Sequence, residues 1–347
     1  MRRLIRTLPF LLLVSFSLSF AALPACARRA ANAPNDNEKP LTVAILLFNG
    51  VEIIDYSGPW EVFGEAGFQV HTVAETAAPI TTVFGQKVTA DYTFDNSPRA
   101  DILLIPGGAV FKQVDDPKLV KWVQDSARDA THVMSVCNGA FILAKAGLLD
   151  GLTATTVHHS IDKLAQFSPK TKVVYDQRYV DNGKIITTAG LSSGIDGAFH
   201  LVEKILGRGR AETTALGMEY RWEPESKYAR AAFADRYLPD FDGLQGNVLS
   251  AVGDVDHWEI RALVWQPASA AEILETAGKE VVNNTRHTRG AVTLLPRGAG
   301  ASVSRPEVRW KFTDEQGRGW NGAVVAEPSP DDKGKFVVTL KLDRDTK

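Results

Sequence analysis

The feature that most constrains the fold is LTVAILLF at 41–48, apolar without interruption and of strand length. Continuous apolarity, rather than alternation, suits a strand covered on both faces, as in a parallel sheet. ILLIPGG at 102–108 is a second such run, ending in a Gly pair. Between and after these runs lie helical stretches. VEIIDYSGPWEVFGEAG (51–67) reads as a turn and helix ending at Gly67. DPKLVKWVQDSAR (116–128) reads as a helix with Asp115 or Asp116 as cap and Pro117 in its first turn. FQVHTVAE (68–75), THVMSV (131–136), TKVVYDQRYV (171–180) and GKIITTA (183–189) are further strands, and residues 81–94 alternate around Gly85-Gln86 like a hairpin. NGAFILAKAG (138–147) and IDGAFHLVEKILG (195–207) are the helices that follow. This order predicts an α/β domain with a parallel, helix-covered sheet over residues 41–222.

After Tyr220 the texture changes. Residues 223–245 read as a linker with one helix. HWEIRALVWQ, GAVTLLP, VRWKFTDEQGRGWNGAVVAE and KFVVTLKLD are alternating strands with Gly-containing turns, which predicts a small antiparallel β domain at 246–347. Trp258, Trp265, Trp310 and Trp320 are expected in its core, with a binding face for carbohydrate or a partner as the alternative. The full 347 residues suit two such domains, and 44% hydrophobic against 23% charged residues is a globular balance.

The N-terminus reads as an export leader over residues 1–27. Arg2, Arg3 and Arg6 precede an uncharged apolar run, Leu8 to Leu23. Ala25 and Ala27 form an A-x-A cleavage site, while Leu23-Pro24-Ala25-Cys26 resembles a lipobox; both routes stay open, giving a periplasmic protein or a lipoprotein anchored through Cys26. Residues 28–40 read as a disordered tether. Without the leader 36 basic residues face 41 acidic ones, so no basic excess attracts nucleic acid.

With Cys26 at the processing site, Cys137 is the one thiol inside the mature chain. Ser135-Val136-Cys137-Asn138-Gly139-Ala140 carries a strand into a sharp turn and then a helix, a nucleophile elbow with Cys in the serine position. A helix N-terminus favours thiolate, so a thiol pKa below the free value of about 8.5 is expected. Read alone, CNGA would be a small buried cysteine and Asp55 a helix cap before Gly58-Pro59. Seven scattered His and one internal Cys give no zinc spacing, and neither GxGxxG nor a P-loop occurs, so no metal or cofactor is expected. Ser192 and Ser193 read as caps of the helix after them.

SVCNGAFILAKAGLLDG, ATTVHHS and VDNGKIITTAGLSSGIDGAFHLVEKILG, together with DYSGPWEVF and ILLIPGG, resemble the ThiJ/PfpI superfamily, in order, from Leu41 to about Tyr220. The likeness is greatest to its branch of isocyanide hydratases and sensor domains of AraC-type regulators. The resemblance implies a flavodoxin-like sandwich and a homodimer. Asp55-Tyr56-Ser57-Gly58-Pro59 matches the hydratase motif D-[FY]-[ST]-G-P, which implies Asp55 beside the sulfur as proton donor. It further implies that backbone amides of Gly107 and Gly108, with that of Asn138, form an oxyanion-type pocket. Two departures stand out: Asn138 follows the cysteine where protease-like members carry His and hydratases usually Thr. His158 and His159 are candidates for approaching the site, though paired His near a loop are more often surface residues. The implied activity is attack of Cys137 on a small electrophile, an isocyanide or, as an alternative, a reactive carbonyl such as a glyoxal. A non-catalytic ligand-binding or redox-sensing role in the envelope stays open beside it.

Overall fold

A computed structural model describes residues 39–226, 228–296 and 306–345. The expected leader, Cys26 and nearly all of the tether lie outside the described residues.

The first region runs β1 (Thr42–Leu46), α1 (Ile53–Glu65), β2 (Gln69–Ala74), β3 (Ile80–Thr81), β4 (Lys87–Val88), β5 (Tyr92–Thr93), β6 (Ile102–Ile105), α2 (Pro117–Asp129), β7 (His132–Val136) and α3 (Gly139–Lys145). It continues through β8 (Thr153–Ala154), α4 (Ile161–Phe167), β9 (Lys172–Val173), β10 (Tyr179–Asp181), β11 (Ile185–Thr188), α5 (Ser192–Leu206) and α6 (Arg208–Gly217). Seven strands form one sheet in the order β10-β11-β7-β6-β1-β2-β5. Every pair in it is parallel except the edge pair β10–β11. β6 and β11 are buried at every position, as strands with both faces covered must be. α1 packs on α5, and α5 on α6, while α3 contacts both α2 and α4. This is the parallel, helix-covered sheet that the apolar runs imply, and the flavodoxin-like sandwich that the family resemblance implies.

Local chemistry explains several boundaries. Asp116 caps α2, accepting from the N–H groups of Lys118 and Leu119 with Pro117 next to it. The expected hairpin at 81–94 is shorter than the alternation suggested: β3 and β4 pair, but β5 leaves to extend the main sheet beside β2. The run 171–180 is likewise two elements, since β9 pairs with β8 while β10 turns to pair with β11.

The second region adds β12 (Gln245–Gly253), β13 (His257–Gln266), α7 (Ala270–Asn284), β14 (Thr293–Leu295), β15 (Glu307–Thr313), β16 (Gly319–Pro328) and β17 (Phe336–Arg344). Its six-stranded antiparallel sheet has the order β12-β13-β17-β16-β15-β14. The helix expected in the linker is instead two 3-10 turns, Arg230–Ala232 and Ala234–Tyr237. The unexpected α7 starts at Ser269, whose hydroxyl accepts from the Glu272 N–H and donates back to its carboxylate, and it lays Ile273, Leu274, Ala277 and Val281 into the core. Trp310 and Trp320 are fully buried there and Trp258 packs against that core, but Trp265 is 38% exposed. The period of two explains it: Trp258, Ile260, Ala262 and Val264 share one face of β13, and Trp265 falls on the other.

Candidate active site

β7 ends at Val136, and Cys137 turns the chain into α3 with φ of +56°. A side chain held in this left-handed region costs about 1–3 kcal/mol and persists only where surrounding structure over-determines it. Here the Cys137 N–H bonds Ala189 O at 3.1 Å, and its own C=O accepts from Thr156 Oγ1 at 2.7 Å. Gly139 makes the tight crossing possible, because a Cβ there would sit 2.1 Å from Ile105 O.

Asp55, in the first turn of α1, is fully buried, and Cys137 is 6% exposed. The carboxyl and the thiol converge over Gly107, and each shifts the other's proton affinity. Each carboxyl oxygen also accepts a backbone N–H: Oδ2 from Gly107 and Oδ1 from Leu191, both at 3.1 Å. These donors come from different loops, after β6 and β11, and lock the carboxyl in one orientation. A Cβ on Gly107 would lie 2.7 Å from the Asn138 N, 2.7 Å from Cys137 Cβ and 2.8 Å from Asp55 Oδ2. Only glycine lets the three groups converge.

Burial pushes Asp55 up to about 7, against the bonds from Leu191, the thiol and Gly107, with the Glu52 charge adding to the rise. The thiol is also pushed up, first by burial and then by the Asp55 charge, while the Asn138 N–H works the other way. This corrects the expected depression of the thiol pKa. α3 has only seven residues and no side-chain cap, and its N-terminus is outweighed by desolvation and a carboxylate in contact. The two groups behave as one site that holds a single proton between its first loss, near neutrality, and a second well above the ordinary thiol range.

The other expected site residues fall into two groups. Gly107 is not free for an oxyanion, since its N–H is committed to Asp55. Gly108 and Asn138 line the cavity over the sulfur, where the Asn138 side-chain amide reaches Gly108 O at 3.4 Å. His158 and His159 also line it, as exposed residues at its mouth, and His158 is held below its usual pKa by burial and by the charges of Arg230 and His159. Ser192 and Ser193 do not cap α5: Leu191 occupies the cap position with no side-chain bond, and Ser192 Oγ accepts from Arg178 instead.

The cavity encloses about 430 Å³. Arg178, Tyr228, Arg230 and Ala231 line it without having been expected there. No local motif marks them, because they come from the turn before an edge strand and from the linker. Among the described residues, no group of three or more His, Cys, Asp and Glu is placed to hold a metal ion.

The DJ-1/PfpI family model matches residues 41–204. Isonitrile hydratase of Pseudomonas putida is 33% identical over 189 residues, which cover 53% of this chain and 80% of that protein. Protein/nucleic acid deglycase 2 of Escherichia coli is 27% identical over 154 residues, 42% of this chain and 87% of that one. Among solved structures, a ThiJ/PfpI family protein from Pseudomonas syringae matches with a TM-score of 0.50 at 28% identity, covering 60% of this chain and 86% of that chain. With the flavodoxin-like sheet, the cysteine elbow and four-fifths of a curated relative spanned at this identity, the chain belongs to the DJ-1/PfpI family.

Proposed function

We propose that the protein is an exported, cysteine-dependent hydratase of a small electrophile, with an isocyanide as the best-fitting substrate. The carrying observation is the buried Asp55 carboxyl set beside the Cys137 thiol, held by two backbone N–H groups and pushed up to about 7. A carboxyl so placed can carry a proton at neutral pH and release it at the moment of attack. The likeness to isonitrile hydratase supports the substrate class.

The steps balance as follows. In the reactive form Asp55 is protonated and Cys137 is thiolate. Sulfur adds to the terminal carbon of R–N≡C as the Asp55 proton moves to that carbon, giving the thioimidate S–CH=N–R. Water adds its hydroxide to carbon and its proton to nitrogen. The resulting hydroxyl gives its proton to Asp55 as the C=O forms and the C–S bond breaks. R–NH–CHO leaves, and thiolate and protonated Asp55 are restored. Gly108 and Asn138 line the cavity beside the sulfur, and in this reading their backbone amides meet the developing charge.

The test is formamide production from a panel of isocyanides by wild type and Cys137→Ser, with glyoxals in parallel. Formamide from wild type alone supports the reading. Turnover of glyoxals without isocyanides would favour the carbonyl chemistry suggested by the deglycase likeness, and no Cys137-dependent turnover would leave a binding module. Homodimer formation through the α/β domain rests on the family resemblance, and sedimentation of the purified chain tests it.

A further inference from the structure

The cavity over Cys137 is not closed by the family domain alone. Tyr228, Arg230 and Ala231 line it from the segment between the two sheets, beyond the residues matched by the family model. Their positions are fixed from both sides. Arg178, from the turn before β10, is ion-paired with Asp196 of α5 and donates to Ser192 Oγ at 3.2 Å. Its guanidinium lies 5.4 Å from the Tyr228 ring. Arg230 is paired bidentately with Asp235 at 2.8 and 2.6 Å and stacks 5.1 Å over Trp258 of β13. The wall is therefore pinned to α5 at one end and to the second sheet at the other.

The character of the wall follows from these pairings. Both guanidiniums already have a carboxylate partner, so neither offers an uncompensated charge to an anion, and Glu52 adds negative charge near the sulfur. Val157, Leu191, Tyr228 and Ala231 give the cavity an apolar part, beside the polar lining of Glu52, Asn138, His158 and His159. About 430 Å³ bounded in this way fits a compact body of aromatic or branched-alkyl size.

We propose that Tyr228 and Ala231 form a selectivity wall, contributed by the C-terminal region, that admits neutral electrophiles with a compact apolar body to Cys137 and limits their size. This rests on the reading of Cys137 as the nucleophile. Tyr228 is 49% exposed, so its truncation opens the mouth without emptying a core, whereas Ala231 is buried and a larger side chain there fills the cavity.

The experiment uses the full chain, with alkylation followed at the Cys137 peptide by mass spectrometry. The readout is the rate with N-phenylmaleimide divided by the rate with iodoacetamide. Tyr228→Ala is expected to raise this ratio at least threefold, and Ala231→Leu to lower it at least threefold. Smaller shifts, or shifts in one direction for both variants, overturn the proposal. So does failure of iodoacetamide to reach Cys137 in the folded wild type. Isocyanide turnover is a separate readout. If no isocyanide is hydrated and the ratios still move apart, the wall stands and the hydratase reading falls.

Discussion

Gly107→Ala tests the convergence of Asp55, Cys137 and Asn138 in one substitution. The added Cβ would stand 2.7 Å from two of its neighbours and 2.8 Å from the third, all three being site atoms held by backbone. Carbon contacts settle near 3.5 Å, so the neighbours must retreat by about 0.7 Å or more in total separation. Overpacking of this kind costs about 1–3 kcal/mol. Weakening the Gly107 N–H bond to a buried carboxylate adds about 1.5–3 kcal/mol when the group is ionised. A displacement approaching 1 Å at reacting groups lowers turnover by about 100-fold. The expected result is a folded protein with a lower melting temperature and formamide production reduced by one to two orders of magnitude. Gly107→Ala retaining turnover within threefold of wild type would refute the requirement for this packing.

Other consequences reach the rest of the molecule. Asp314 is fully buried and accepts from Trp320 Nε1, from Arg318 Nε and from two backbone N–H groups, so Asp314→Ala should cost about 3–5 kcal/mol in urea unfolding followed by tryptophan fluorescence. Burial pushes its pKa up, but the Trp320 and Arg318 donors outweigh that and hold it below the usual carboxylate value. Its contribution is then present above about pH 4 and lost as pH falls through the depressed folded value, so the Asp314→Ala penalty should shrink at low pH. A chain ending near Pro239 leaves Tyr237 and Leu238 without the second core and Arg230 without Trp258. It should keep Cys137 alkylation and lose size selection, whereas loss of the fold would show that the second sheet completes the first. Export predicts a mature N-terminus at Arg28 or a diacylglyceryl mass on Cys26, and an intact cytoplasmic chain starting at Met1 would contradict it.

Much of this was legible in residue order. Uninterrupted apolar runs announce strands buried on both faces, and the elbow at Cys137 follows from a strand meeting Asn138-Gly139. α7 carried a readable signal as well, the Ser269–Glu272 capping pair, but Ala and Gly dilute its apolar stripe. Trp265 could have been separated from the core by counting alternate residues from Trp258. What order could not show is whatever depends on distant segments meeting. The rise of Asp55 comes from burial beneath two loops, and the wall above Cys137 depends on Arg178 and Arg230 being matched by Asp196 and Asp235 in the fold.

The coupling of Asp55 with Cys137 is tested most directly by the rate of Cys137 alkylation by iodoacetamide as a function of pH. The first proton leaves the pair near pH 7 and the one that remains is shared, mostly on the sulfur, so the small thiolate share of that form should make the wild-type rate rise through about pH 7 to a plateau well below the rate of a free thiolate. In Asp55→Asn no carboxyl can take the thiol proton, and burial still disfavours the thiolate. The rise should then move above the free thiol value of about 8.5. A single rise at the ordinary thiol pH in both proteins would contradict the coupled pair and, with it, Asp55 as the proton donor.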